Sequence, residues 1–248
     1  GMHIDMRSPY SGALVFAAFS GSHQDAIAKG MKIWDEHQHT GKWTVPYLPL
    51  DPKDIGREYE ADVIRINSQS GKGGVAFVMD HYYGFKLPKV MHKELADEIQ
   101  AISERQGEVS PSQIMDKFRE MYINAKYPLH FKKMRAEDIS ETTEGYDTKV
   151  VLTYTFKDEL KTIEGFGNGP IDAVKHALCN QGGFNTKLTM YEEHALTTGS
   201  DSQAASYIEL MNSETGEKAF GVGISSNITR SSVRAIFSAM NRLFFRKK

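Results

Sequence analysis

The second half of the chain contains one pattern of elements twice, and this internal repeat limits the possible folds more than any other feature. In the first copy, alternating apolar residues over 148–156 and 160–167 predict two strands ahead of a helix. In the second copy, residues 204–212 and 219–224 predict two more strands, again ahead of a helix. The sequence therefore predicts two strand-strand-helix units.

Each unit has one half-buried sheet face and one amphipathic helix, which is too little apolar surface for a stable domain. We therefore expect the two units to pack together about a pseudo-twofold axis. Their helices follow Asn168 and Asn227, each just behind a glycine-rich strand end. Free N–H groups at two helix starts near one cleft attract carboxylates, so a small amino acid is a fitting ligand.

Three glycines, Gly165, Gly167 and Gly169, lie between a predicted strand and a predicted helix. Their G-x-G-x-G spacing departs from the G-x-G-x-x-G pattern of dinucleotide-binding folds, and the preceding strands look antiparallel. We interpret these glycines as permitting a tight turn and a close approach of the backbone to a small ligand.

The sequence changes character near residue 127, because prolines and long helical patterns precede it and alternating strands follow. Helical spacing and capping residues predict helices over about 23–37 and 88–104, and a third that begins at Pro111. The expected fold class is α+β, with helical linker subdomains at 1–62 and 63–126 and the repeat domain at 127–248.

Composition excludes several classes of function. A formal net charge of −2 and a pI near 6.5 leave no surplus of basic residues for neutralising phosphates, so we expect no nucleic-acid partner. The single cysteine, Cys179, cannot form a disulfide within the chain, which is typical of a reducing compartment such as the cytoplasm. No segment is long and apolar enough to predict a membrane partner.

Few residues outside the repeat suggest chemistry. His23 falls in the first turn of its helix, where the helix dipole favours a neutral ring that can pass a proton, although an exposed polar residue is the commoner explanation. Tyr47, between prolines, is either a fixed phenolic donor or an aromatic anchor. His37 and His39 have a metal-binding spacing, but no nearby cysteine or carboxylate completes a set, so we expect no metal here.

Several long segments resemble the C-terminal part of alpha-isopropylmalate synthases. SPYSGALVFAAFSGSHQDAIAKG (8–30) and the segment from VPYLPLDPKDIG to GKGGVAFVM (45–79) resemble the region that follows the catalytic barrel in this family. GEVSPSQIMDKF (107–118) continues the match, and FGNGPIDAVKHAL (166–178) and GVGISSNITRSSVRAI (221–236) resemble the regulatory domain. The resemblance covers nearly the whole chain.

The resemblance implies a role in a homodimeric acyltransferase. Members of the family condense acetyl-CoA with 2-oxoisovalerate to give 2-isopropylmalate, the first committed step of leucine biosynthesis, and leucine inhibits them. They use a divalent metal (Mg, Mn or Zn) in an N-terminal TIM barrel. The 248 residues contain no such barrel, so we expect them to carry no cofactor and to be inactive alone.

The resemblance also assigns residues. His23 and Tyr47 would reach into the barrel of the partner subunit, where His23 assists proton transfer and Tyr47 orients a substrate or water. The residues expected to bind the leucine effector are Asn168, Gly169, Pro170, Ile171, Leu188, Tyr191, Ala195, Ser202 and Ile224.

Two alternatives remain open at this point. One is a stand-alone amino-acid-sensing dimerisation module, which would have no use for the segments around His23 and Tyr47. The other is the same region of a citramalate synthase, which would respond to isoleucine.

Overall fold

A computed structural model describes most of the chain: residues 9–10, 12, 15–16, 18, 21–37, 41–57, 71–123, 125–139, 145–196 and 202–245. The chain forms two compact units, Gly1–Asp116 and Lys117–Lys248. The predicted boundary at 62/63 lies outside the described residues, and the one at 126/127 stays a prediction. None of the helices within the described ranges is long and apolar enough to cross a membrane.

Helices make up most of the described part of the first unit. They are α1 (Gly21–Glu36), α2 (Gly71–Tyr83), α3 (Met91–Gln106) and α4 (Pro111–Phe118), which continues into the second unit, and a 3₁₀ turn spans Pro52–Ile55. The helices predicted at 23–37 and 88–104 are confirmed, with ends shifted by at most three residues.

Side-chain caps set the starts of the short helices. At α4, the backbone N–H of Ser110 donates to Gln113 Oε1 at 2.9 Å, and Gln113 N–H donates to Ser110 Oγ at 3.3 Å. This reciprocal pair satisfies two N–H groups that the helix leaves without partners. Asp51 caps the 3₁₀ turn in a similar way, because its carboxylate accepts from Lys53 N at 2.9 Å.

The second unit contains the predicted repeat. Its elements are a π-helical turn (Arg119–Ile123), β1 (Leu129–Asp138), β2 (Thr148–Phe156), β3 (Glu159–Gly167), α5 (Pro170–Asn180), β4 (Thr186–Ala195), β5 (Ala204–Asn212), β6 (Lys218–Ser225) and α6 (Ile228–Phe245). The strands form two antiparallel sheets, in the orders β1-β2-β3 and β4-β5-β6. The two strand-strand-helix units are confirmed, and each has a further leading strand, β1 or β4.

The two repeats share their strand register. The bulge in β1 falls between Phe131 and Lys133, and the bulge in β4 falls at the same distance from the strand start, between Leu188 and Met190. Between β2 and β3, Gly165 lies opposite Val150, and between β5 and β6, Gly223 lies opposite Ser206. Strand residues of one repeat therefore have definite counterparts in the other.

Both helices pack into one core that contains residues of both repeats. α6 lies on β5 and β6 and also reaches β1, where Asn241 Oδ1 accepts from Leu129 N at 2.9 Å and Asn241 Nδ2 donates to Leu129 O at 2.7 Å. The end of α5 lies close to the start of β4, where Cys179 Sγ lies 3.6 Å from Thr186 O. The common core and the contact of α6 with β1 show that the two repeats pack together, as predicted.

Glycines in β3 and β6 let each helix lie directly on its sheet. A Cβ atom added to Gly165 would collide with the carbonyl of Ala173 in α5, and one added to Gly223 would collide with the carbonyl of Ser231 in α6. Gly167 and Gly221 face the helix backbones in the same way. The interpretation of Gly165 and Gly167 as sites of ligand approach is therefore wrong, since the backbone that approaches them belongs to α5.

We predict that Gly223→Ala lowers the free energy of unfolding by about 1–3 kcal/mol, because the new methyl group forces α6 away from β6. Gly169→Ala is the matched control, since its φ of 175° is extended and an added Cβ meets nothing within 4 Å. Urea unfolding of both variants measures the difference. Equal midpoints for the two variants would contradict the packing role of Gly223.

Candidate functional site

The first unit brings together the two residues that the family resemblance assigns to catalysis. The ring of His23, in the first turn of α1, stacks on the ring of Tyr47 with centroids 4.0 Å apart and an interplanar angle of 23°. Both side chains are exposed, with Tyr47 at 61%. The pair thus lies on the surface, where a second protein segment can reach it.

The segment that carries Tyr47 is held against α1 by close packing. A Cβ atom on Gly30, two turns after His23, would lie 2.7 Å from Pro46 Cδ, so only glycine lets the segment run this close to the helix. On either side of Tyr47, Val45 and Leu48 are buried against Ile27 of α1. Tyr47 itself has a φ of 64°, a left-handed conformation that turns its ring out of this core.

Next to His23 in the sequence, the side chain of Gln24 is buried and only partly hydrogen-bonded within the described residues. Gln24 is only 1% exposed, and its Nε2 donates to Ala18 O at 2.6 Å. Its Oε1 is buried and has no hydrogen-bond partner in the part of the chain that the structure describes. A buried acceptor of this kind usually has a partner in the working molecule.

In the second unit, the starts of the two repeat helices line one cavity of about 650 Å³. Pro170 begins α5, Asn227 and Thr229 belong to the start of α6, and Ile224 lies at the end of β6. The opposite wall comes from β1, including Phe131 and Met134. The predicted shared hollow is therefore present, and it contains two of the nine residues expected to bind the effector.

This hollow, called here the basic cavity, has a positively charged wall. Its lining includes the cationic side chains of Lys126, Lys132, Lys133, Arg230 and Arg234, together with His130. Burial, and then the charges of Lys132, Lys126 and Arg234, lower the pKa of His130 below its usual range. The sequence analysis misses this cluster, because the cations are spread over β1, the segment before it and α6, and meet only in the fold.

A second group of the expected effector residues lies on β4. Leu188, Tyr191 and Ala195 pair with Leu210, Ile208 and Ala204, so all three point to the side of the sheet on which α6 packs. None of the three is among the residues that line the basic cavity. Ser202, half-buried, lies two residues before β5.

Hydroxyl groups connect Tyr191 to the first turn of α6. Tyr191 OH donates to Glu193 and lies 3.1 Å from Ser232 Oγ. Ser206 Oγ lies 3.1 Å from Ser232 Oγ and 2.6 Å from Ser231 Oγ, and both α6 serines donate to Ile228 O. Ser206, Ser231 and Ser232 are missed by sequence reasoning, because serine is ordinarily an exposed residue.

The start of α5 carries the remaining expected residues. Asn168 is exposed, and its N–H donates to Asp172 Oδ2 at 3.2 Å. Gly169 precedes the helix with open space on its Cβ side, and Pro170 and Ile171 are half-buried. A carboxylate on the first turn makes this helix start mixed in charge, with N–H donors beside an acid.

No group of three or more potential metal ligands occurs within the described ranges. His37 Nδ1 lies 2.9 Å from Ile33 O at the end of α1, and His39 lies outside the described residues.

Two repeated units of three strands and a helix, with a cavity at the helix starts, define a domain of duplicated β-β-β-α architecture. The chain belongs to the LeuA allosteric (dimerisation) domain family, whose profile matches residues 108–244. Residues 13–80 match a second family, described as alpha-isopropylmalate synthase, post-catalytic domain-like. The resemblance stated from the sequence is thereby confirmed.

Several curated relatives match nearly the whole chain. A 2-isopropylmalate synthase of Helicobacter hepaticus is 44% identical over 247 residues, which cover 98% of this chain and 44% of the relative. One from Clostridium acetobutylicum is 46% identical, covering 97% of the chain and 43% of the relative. One from Mycobacterium leprae is 45% identical, covering 97% and 40%. The chain thus spans less than half the length of these relatives.

Burial, and then the hydrogen bond to Glu193, raise the pKa of Tyr191. We predict that Tyr191→Phe costs about 1 kcal/mol near neutral pH, because the variant loses the bonds of the hydroxyl group. The advantage of Tyr191 persists below about pH 10 and disappears as pH rises through its folded-state pKa, because the unfolded chain ionises it first. Urea unfolding of both proteins from pH 7 to 11 measures this; a gap that widens with pH would contradict it.

Proposed function

We propose that this chain is the regulatory part of a 2-isopropylmalate synthase, with L-leucine as its effector and with His23 and Tyr47 as contributions to the active site. The enzyme is an acyltransferase that condenses acetyl-CoA with 2-oxoisovalerate in leucine biosynthesis. In this proposal the condensation takes place in a metal-containing TIM barrel. This chain supplies feedback inhibition and dimerisation, and it contributes the side chains of His23 and Tyr47 to the active site.

The observation that carries the leucine proposal is a correspondence between the repeats. In the basic cavity, Phe131 and Met134 of β1 face the start of α6. The shared register makes Leu188 and Tyr191 of β4 their counterparts, and the start of α5 the counterpart of the start of α6. Four of the nine residues that the family resemblance assigns to leucine, Gly169, Ile171, Leu188 and Tyr191, are therefore the repeat-related counterparts of residues that line the basic cavity.

The charges at this second position suit a zwitterion. Because Ala173 meets Gly165 as Ser231 meets Gly223, Asp172 is the counterpart of Arg230. By the register of β4, Glu193 is the counterpart of Ala136. Two carboxylates thus replace a cation and a methyl group, and they can pair with the ammonium of an amino acid while helix N–H groups bind its carboxylate. Leu188 and Tyr191 provide apolar contact for a branched side chain.

The proposal for His23 and Tyr47 rests on their stacking. Two rings from separate segments are held with their centroids 4.0 Å apart at an exposed position. The left-handed backbone of Tyr47 costs conformational free energy, and residues in such conformations cluster at functional sites. A histidine and a phenol in contact can transfer a proton and orient a carbonyl or water in a neighbouring active site.

Dimerisation is the third part of the proposal. The family profile that matches residues 108–244 carries dimerisation in its description. In a homodimer, His23 and Tyr47 of each subunit can also reach the active site in the catalytic barrel of the partner subunit.

We predict that the chain binds L-leucine more tightly than isoleucine or valine in calorimetric titration. Asn168→Phe weakens leucine binding at least about tenfold, which is about 1.4 kcal/mol, because the bulky ring covers the start of α5. Asn185→Phe, an exposed residue outside the proposed site, is the control and retains full affinity. Binding of isoleucine without leucine would instead favour a citramalate synthase.

We predict that His23 and Tyr47 act in catalysis and not in folding. Joined to the barrel of the Clostridium acetobutylicum relative, the chain yields an active enzyme in which His23→Ala lowers kcat about 100-fold or more, the usual scale of acid-base catalysis. Tyr47→Phe, which keeps the ring and removes the hydroxyl, lowers kcat less. His37→Ala, directly after the same helix, is the control. Full activity of the His23 variant would remove it from the active site.

A further inference from the structure

We propose that the basic cavity binds a small phosphorylated ligand, separate from the amino-acid effector. The cavity lies between β1 and the start of α6, and its ligand is a phosphate ester of about the size of a nucleoside diphosphate. This proposal rests on the proposed function in one respect, because it requires leucine to bind outside this cavity, at the start of α5.

The charge of the cavity wall is the first observation. Five lysine and arginine side chains line it, and its described lining contains no aspartate or glutamate. An amino acid is a poor match for this wall, because its net charge is zero and the cations of the wall would repel its ammonium group. A ligand with two or more negative charges offsets the repulsion among the cations.

The geometry of α6 is the second observation. Arg234 Nη1 donates to Ile224 O at 2.6 Å, which fixes this guanidinium at the rim between helix and strand. Asn227 caps the helix, its Oδ1 accepting from Arg230 N at 2.9 Å, and Asn227 and Thr229 both line the cavity. A helix start flanked by two arginines is a strong phosphate-binding arrangement, since N–H groups and planar guanidinium groups both match phosphate oxygens.

Size and the distribution of charge narrow the ligand class. A volume of about 650 Å³ is typical of small-molecule sites, which range over about 300–1,000 Å³. Beyond Pro170 the charge of the protein surface changes from positive to negative, because Glu137, Asp138 and Asp147 line a shallower pocket there. The phosphate groups therefore belong near Arg230 and Lys132, and hydroxyl groups of the ligand, such as those of a ribose, can donate to the carboxylates.

The repeat-related position lacks these features, which makes the site specific to one half of the domain. Asp172 stands in place of Arg230, and Thr189 and Met190 stand in place of Lys132 and Lys133. The same backbone framework thus offers one position suited to a zwitterion and one suited to a polyanion.

Inorganic pyrophosphate is the probe for this proposal, titrated into the 248-residue chain by calorimetry at low ionic strength. We expect saturable binding at one site per chain. The double variant Arg230→Ala/Lys132→Ala weakens it at least about tenfold, because two charge-assisted contacts are lost. The control Lys161→Ala/Lys187→Ala removes the same charge from exposed residues outside the cavity and stays within about twofold of the unchanged chain. Leucine binding is equal in all three proteins.

Three outcomes would overturn the proposal. Pyrophosphate that fails to bind leaves the cavity without the proposed ligand class. Equal weakening in the two double variants indicates a general charge effect and no site. Loss of leucine binding in Arg230→Ala/Lys132→Ala alone makes the cavity the amino-acid site, which would refute the separation of ligands while leaving leucine sensing intact. Thermal unfolding of each variant establishes that the compared proteins are folded.

Discussion

The direct contact between each repeat helix and the glycines of its last strand determines the geometry of the second unit. Because Gly165 and Gly223 have no side chains, the backbones of α5 and α6 lie on the sheet where a methyl group would not fit. The contact fixes where each helix starts relative to its strands. The starts of both helices then border one cavity, with β1 as its opposite wall. The position of this cavity follows from that packing.

Duplication gives the domain two related positions with different chemistry. The backbone register, including the bulge in the leading strand, is the same in both repeats. The side chains differ in charge, with Arg230 at one helix start and Asp172 at the other. In the functions proposed above, this shared framework with different charges accounts for two ligands of different kinds. The serines that join Tyr191 to Ile228 O connect an expected effector residue to the helix start beside the basic cavity.

The sequence predicts the elements that have a strong periodic pattern and misses those that do not. The strands at β2, β3, β5 and β6 alternate clearly, and their repetition reveals the duplication. β1 is missed because it is an edge strand in which only Leu129 is buried and charged residues occupy most other positions. The glycines are misinterpreted because periodicity does not distinguish a contact with a helix from a contact with a ligand. The stacking of His23 on Tyr47 depends on how Gly30 and Pro46 pack, which spacing alone does not reveal.

A crystal structure of the chain grown with L-leucine tests the central claim most directly. The account predicts leucine at the start of α5, with its carboxylate on the N–H groups of Ile171 and Asp172 and its side chain against Leu188 and Tyr191. The basic cavity would hold no amino acid. Leucine bound among Arg230, Lys132 and Phe131 instead, or no leucine near either helix start, would contradict it.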